Sequence, residues 1–270
     1  MTENKKSSSP AKQTAVLFEQ EGSIAIITLN RTARYNAVND DLIDGLNAAL
    51  DQVRDDDNIR AVILTGNGKG FCAGADMNVF DEITPEEGQA YIIATYGGLM
   101  RNFLTLRKPI IGAIHGSAAG VGCAIALACD LRVMAENSNF RYAFINIGLG
   151  PDGGAGWFLA RQVGYSRALQ IAIEGEKIPA QRCLELGLTN KVVPIDNLLS
   201  SAKNWAHQLA EKPTLAVGIT KMDLNHAMVH NLYDNIAFEA TEQMAAFASH
   251  DFKEGVQAFL ERRKAKFIGK

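Results

Sequence analysis

Two short glycine-rich segments have the residue types and spacing to do chemistry: Phe71-Cys72-Ala73-Gly74-Ala75-Asp76 and His115-Gly116-Ser117-Ala118-Ala119-Gly120-Val121-Gly122-Cys123. Each follows a β-branched run, residues 61–65 for the first and 110–114 for the second. Small residues allow unusual backbone angles and let a ligand approach backbone N–H groups closely. Two such turns, each opening a helix, can aim two N–H donors at one point, which is how an anion or a developing oxyanion is held. The competing reading is tight strand-to-helix packing that holds nothing. A third segment, Pro151-Asp152-Gly153-Gly154, places a carboxylate beside two glycines. Asp152 there suits an N-cap of the next helix or a proton carrier, and the two roles are compatible.

Regular elements must hold these segments, and hydrophobic periodicity predicts them. Residues 23–29 read as a strand. Leu42, Ile43, Leu46, Ala49, Leu50 and Val53 recur at helical spacing behind an N-cap at Asn39 or Asp40. Thr84-Pro85-Glu86-Glu87 is a capping box with proline at the first helical position, and that helix ends before Arg107-Lys108-Pro109. A helix over 121–128 and a strand over 131–135 follow the second turn. Beyond Gly153 the chain becomes more helical. A short helix at 179–185 stops at Gly187, 192–194 is a short strand, and Asp196 stands ready to cap the next helix. Helical patterns then cover 198–209, 214–227 and 232–247, and an amphipathic, charged stretch covers 251–266. Strands alternating with helices, then a helical tail, predict an α/β core with a helical appendage.

Composition bounds the function. The chain has 270 residues, 47% hydrophobic and 21% charged, with a net charge of −3. That balance gives no support to nucleic-acid binding. Its apolar stretches are too short or too glycine-rich for a membrane span. Residues 1–14 are polar, without the apolar segment of a secretory signal, and read as a flexible tail. Cys72, Cys123, Cys129 and Cys183 show no Cys-x-x-Cys spacing. They read as small buried residues in a reducing compartment, which points to the cytoplasm. His207, His226, His230 and His250 have no zinc-like spacing, so no metal is expected. His115 reads as a packed, hydrogen-bonded histidine.

Taken with Cys129-Asp130-Leu131-Arg132, with Gly148-Leu149-Gly150 before Pro151, and with Leu29-Asn30-Arg31 and Asn36-Ala37-Val38-Asn39, the three segments resemble the crotonase (enoyl-CoA hydratase/isomerase) superfamily. The likeness runs over roughly residues 15 to 268. It implies an α/β fold, a spiral of ββα repeats over 15–196 carrying the CoA-thioester site, and a helical region over 197–270 that forms a homotrimer or a dimer of trimers. It implies an acyl-CoA thioester substrate whose coenzyme A is part of the substrate, with no separate cofactor. The thioester oxygen would be held by the N–H groups of Ala75 and Val121, the latter standing where glycine is common. The two glutamates that serve hydration in this family are replaced, by position, with Ala124 and Phe144, which makes a hydratase built on that pair unexpected.

Asp152 resembles the catalytic aspartate of members that shift a double bond within an acyl-CoA. The expectation is a Δ3,Δ2-enoyl-CoA isomerase in which Asp152 carries the proton while Phe144, Ile145, Ile147 and Leu149 exclude water. The alternatives are hydrolysis, dehalogenation or carbon–carbon bond chemistry at Asp152, and an acyl-CoA-binding protein without catalysis. The resemblance also implies a substrate site made by Arg31, Ala37, Ala73, Asp76, Met77, Gly120, Phe144, Trp157 and Phe267. Asp76 is further expected to cap a helix, and Asp130 and Arg132 to be structural. Arg34, Lys69, Arg263, Lys264 and Lys266 join Arg31 as candidates for the CoA phosphates.

Overall fold

The computed structural model describes residues 14–270, so the tail predicted over 1–14 lies outside the described residues except for Thr14. The chain opens with β1 (Val16–Glu21) and β2 (Ile24–Leu29), an antiparallel pair turned at Gly22, whose φ of +59° suits glycine. Helix α1 (Asp40–Asp55) follows, capped by the Asn39 side chain on the Leu42 N–H. Next is β3 (Ala61–Gly66), parallel to β2. The Thr84 capping box starts α2 (Pro85–Tyr91) as predicted. The helix then widens into one π turn, Ile92–Tyr96, before continuing as α3 (Gly97–Thr105).

The second half of the core runs β4 (Ile110–Ile114), β5 (Ser117–Ala119), α4 (Val121–Ala128), β6 (Leu131–Ala135) and β7 (Asn139–Arg141). After these come α5 (Ala155–Val163), α6 (Tyr165–Glu174), β8 (Lys177–Pro179), α7 (Ala180–Glu185) and β9 (Lys191–Val193). Four helices finish the chain: α8 (Leu198–Ala210), α9 (Thr214–Ala227), α10 (Leu232–Ala248) and α11 (His250–Glu261).

The strands form two sheets. The larger has the order β1-β2-β3-β4-β6-β9, parallel except at β1, and the smaller has the order β5-β7-β8. Each coil of the chain leaves the large sheet and enters the small one. β4 continues into β5, β6 into β7, and the segment after β3 joins through a parallel bridge from Cys72 to Ala118. That stacking is the predicted ββα spiral.

Both faces of the large sheet are buried, which is why its strands are apolar throughout rather than alternating. Ala25, Ile27, Leu29, Val62 and Leu64 face the main core with α1, α3 and α4. Ile24, Ile26, Ala61, Ile63, Ile111 and Val133 face α8, whose Ala202, Ala206 and Ala210 let it lie close. All four cysteines are free and buried. Among the described residues, no helix is long and apolar enough to cross a membrane.

Two local expectations change. Asp196 does not cap α8. The chain enters through a 3-10 turn, Ile195–Asn197, so the cap position falls on Asn197, which makes no side-chain cap bond. Strand β1, absent from the periodicity reading, is buried only at its first residue, so its pattern is weak.

Candidate active site

The two glycine turns meet backbone to backbone. The Cys72 N–H donates to the Ser117 carbonyl (3.1 Å), and the Ala119 N–H donates to the Cys72 carbonyl (2.9 Å). Gly74 has φ of +102°, and a Cβ there would lie 2.9 Å from the Ala119 oxygen. Gly120 has φ of +52°, with Gly74 Cα 3.7 Å from where its Cβ would stand. A side chain at Gly74 would push the turns apart, so that glycine is required by contact and by backbone angle, whereas Gly120 is required by its backbone angle alone.

Asn36, fully buried, ties the approach to the first turn. Its Nδ2 donates to the carbonyls of Asn67 (3.0 Å), Gly70 (2.9 Å) and Phe71 (3.0 Å), and its Oδ1 accepts the Arg31 N–H (2.9 Å). Sequence reading placed Asn36 in a motif without assigning it this work. The only signal was an amide among small residues, which does not name its partners.

The predicted donors sit where the turns converge. Ala75 bridges Val38 through groups of its two neighbours: the Val38 N–H reaches Gly74 O (2.7 Å), and the Asp76 N–H reaches Val38 O (2.8 Å). The Ala75 N–H is left outside that ladder. Val121 is the first residue of α4, where an N–H has no acceptor within the helix. The Val121 side chain is buried and turned toward the third segment. Its Cγ2 stands 2.7 Å from the place a Cβ on Gly153 would take. Gly153, with φ of +55°, thereby brings the Asp152 turn against the start of α4.

Asp152 is half-buried, and its Oδ1 is fully enclosed without a hydrogen-bond partner among the described residues. Burial raises its pKa to about 6, against a smaller opposing pull from its own backbone N–H. It does not cap α5 with its side chain. The cap position belongs to Gly154, and the Ala155 N–H goes to the Asp152 backbone oxygen (2.9 Å). Ala124 and Phe144 are both buried, and the Phe144 ring edge stands 3.9 Å from the Cβ position of Gly120. Ile145, Ile147 and Leu149, expected to exclude water, are instead exposed on this chain. The 3-10 turn Ala143–Ile147 faces outward and Phe144 alone turns in. The side chains packed at the Asp152 turn are Val121 and Tyr96, whose Cδ2 lies 3.6 Å from the Gly153 Cβ position.

This arrangement of paired turns, with a lone carboxylate set against the second, agrees with a match to the enoyl-CoA hydratase/isomerase family over residues 19–270. The chain belongs to that family. It is thus a member of the crotonase superfamily of acyl-CoA-processing enzymes. It is 37% identical to 1,2-epoxyphenylacetyl-CoA isomerase of Escherichia coli K12, over 94% of this chain and 98% of that one. It is 34% identical to the short-chain-enoyl-CoA hydratase of Clostridium acetobutylicum, over 92% and 95%. An enoyl-CoA hydratase subunit I structure from Geobacillus kaustophilus HTA426 superposes with a TM-score of 0.90 at 32% identity, covering 96% of this chain and all of that one.

Family membership makes the placement of the other predicted residues informative. Arg31 does not stand free for a phosphate. Its guanidinium pairs with Asp76 (2.9 Å) and also donates to the Ala37 carbonyl. That pairing, more than burial opposes it, holds the Asp76 carboxyl below its ordinary range. Asp76 also caps the 3-10 turn Met77–Phe80 through the Asn78 N–H (3.3 Å). Ala37 is buried, while Ala73 and Met77 are exposed at the mouth of the first turn.

Trp157 lies on α5. It lines an apolar cleft between α5 and α9 with Leu104, Lys221 and Leu224, and Arg161 lies 4.0 Å over its ring. Phe267 packs near Gly255 of α11, and its carbonyl accepts from Arg60 (3.2 Å) at the start of β3, the end opposite the glycine turn. Arg263 and Lys264 are engaged with Glu254, Glu261 and Glu211. His115 is hydrogen-bonded to the Gly68 carbonyl (3.1 Å). Asp130 binds Lys221 (2.9 Å) and the Ile110 N–H, and Arg132 binds the carbonyls of Leu188 and Cys129. Both are structural, as expected.

Proposed function

We propose that the protein is an enoyl-CoA Δ3,Δ2-isomerase that needs no separate cofactor. In this reading the N–H groups of Ala75 and Val121 receive the thioester oxygen. The Asp152 carboxylate takes a proton from C2 of a 3-enoyl-CoA, giving a dienolate whose negative charge rests on that oxygen. The same carboxyl group returns the proton to C4, and the double bond moves into conjugation. One base suffices because the proton leaves and returns on one face. Each oxyanion donor is expected to contribute about 2.7–4 kcal/mol in the transition state. The observation that carries the reading is Asp152 Oδ1, an enclosed carboxylate oxygen without a partner, at a turn where Ala124 and Phe144 supply no other proton carrier. A base with a pKa near 6 is also matched to work near neutrality.

The test is conversion of 3-enoyl-CoA to the conjugated product, followed by absorbance. Asp152→Asn is expected to lower turnover about 10²–10⁴-fold while acyl-CoA binding persists. Normal turnover in that variant would reject the assignment. A second reading, hydration, is favoured by the names of relatives such as the C. acetobutylicum enzyme. Product analysis for a 3-hydroxyacyl-CoA in the same assay separates the two, and release of free CoA would point to hydrolysis. The proposal includes assembly as a homotrimer or a dimer of trimers. It is supported by apolar side chains left exposed on the terminal helices, among them Tyr233, Met244, Phe259 and Leu260.

A further inference from the structure

Tyr96 presents a problem that the proposed reaction does not solve. Its side chain is only 1% exposed, and its hydroxyl is enclosed without a hydrogen-bond partner among the described residues. An enclosed, unpaired hydroxyl costs about 1–3 kcal/mol, and native proteins rarely keep one without use. Packing alone asks for a ring here. The ring sits edge-on to Tyr91 at 5.6 Å and against Gly153, and phenylalanine would fill that space equally well. The neighbouring Tyr91, by contrast, has its hydroxyl spent on Asp40 (2.9 Å).

The position of the hydroxyl is set by the π turn. There the Gly97 N–H reaches back five residues to the Ile92 carbonyl, a local widening that recurs at functional sites. Burial first, and then the charge of Asp152, hold the phenol well above its ordinary pKa. Tyr96 is therefore a neutral donor at any working pH, never a base. Among the described residues, Asp152 and Tyr96 are the two side chains with an enclosed polar atom left unpaired. They flank the same glycine, and they are not bonded to each other.

A plain hydrocarbon chain in this space would leave the hydroxyl as unpaired as it is now. We propose that Tyr96 is a specificity-determining residue: its hydroxyl donates to an oxygen atom carried by the acyl group itself, beyond the thioester. Such a site favours ligands that carry the oxygen and disfavours those that lack it. The inference rests on the reading of this pocket as the acyl site. There Asp152 serves C2 and C4 and Tyr96 packs against the adjacent Gly153, so saturated thioesters oxygenated at C3 test the phenol's reach.

Calorimetric titration of the full chain with hexanoyl-CoA, 3-hydroxyhexanoyl-CoA and 3-methoxyhexanoyl-CoA tests it. The ether can accept from Tyr96 but cannot donate to Asp152, so it isolates the phenol's contribution. The native protein is expected to bind both oxygenated thioesters about tenfold more tightly than hexanoyl-CoA, the equivalent of one neutral hydrogen bond. Tyr96→Phe is expected to erase that preference, to hold hexanoyl-CoA as tightly as before, and to melt no lower than native. Equal affinities in the native protein, a preference that survives in Tyr96→Phe, or a lowered melting temperature in that variant would overturn the proposal. Failure of the isomerase assay would remove the proposed reaction and leave these ratios standing. Equal ratios would remove Tyr96 and leave the isomerase reading intact.

Discussion

At the scale of single residues, Asp152 governs both rate and stability, and both depend on pH. The carboxylate form is the base, so kcat/KM is expected to rise with pH and level off above about 6, falling about tenfold per unit below it. A rate profile checks this. The stability effect has the opposite sign. The folded protein holds the proton up to about pH 6, whereas the unfolded chain loses it near 3.8. Native stability from this group is therefore complete below 3.8 and is lost as pH rises through 6. The melting temperature of Asp152→Asn relative to native should accordingly climb between about pH 4 and 6 and then stay level. Asp152 was legible only through the family resemblance, because Pro-Asp-Gly by itself is an ordinary turn sequence. Tyr96 was not. No spacing rule distinguishes a tyrosine with a spent hydroxyl, such as Tyr91, from one whose hydroxyl is unpaired. The pairing of Arg31 was not legible for a related reason, since a sequence shows its charge but not the Asp76 carboxylate beside it.

At the scale of elements, the contact between the two glycine turns is the feature most open to perturbation. Gly74→Ala would force a side chain into a backbone of φ +102° and to 2.9 Å from the Ala119 carbonyl. It is expected to destabilise the fold by about 1–3 kcal/mol and to lower kcat by displacing the Ala75 amide. Thermal melting and turnover on the same sample check both parts. Asn36→Ala removes the donor shared by three carbonyls and is expected to cost on the order of 3 kcal/mol in denaturant unfolding. Apart from the edge strand β1, the strands of the large sheet and the major helices could be read from the sequence because both faces of that sheet are buried. The three-residue strands β5, β7 and β8 could not. A three-residue strand carries too little pattern, and these are defined by the coil stacked beside them. The Asp196 cap failed on the same ground, because the entry to α8 follows a tertiary turn.

At the scale of the whole molecule, apolar side chains are left uncovered on the terminal helices, where Phe259 is 83% and Tyr233 81% exposed, and on the outward turn carrying Ile145 and Ile147. Patches of this kind mark association surfaces. Sedimentation is expected to give a trimer or its double, and Phe259→Glu with Leu260→Glu to shift the mass toward monomer. Periodicity gave an α/β core with a helical appendage, and the spiral itself came from the family resemblance. The assembly was inferable only through family resemblance, since one chain's sequence does not name its own partner face. The π turn at Ile92–Tyr96 has a consequence for how the chain can vary over time. A π turn closes with one residue more than an α turn, so losing one residue there would restore ordinary winding and remove the bulge that carries Tyr96 while the flanking helices keep their orientation. Point substitutions would leave the Tyr96 hydroxyl beside Asp152, whereas a single-residue deletion would rebuild that wall of the pocket. Homologues that differ in length at this position should therefore diverge in substrate even where their two glycine turns are identical.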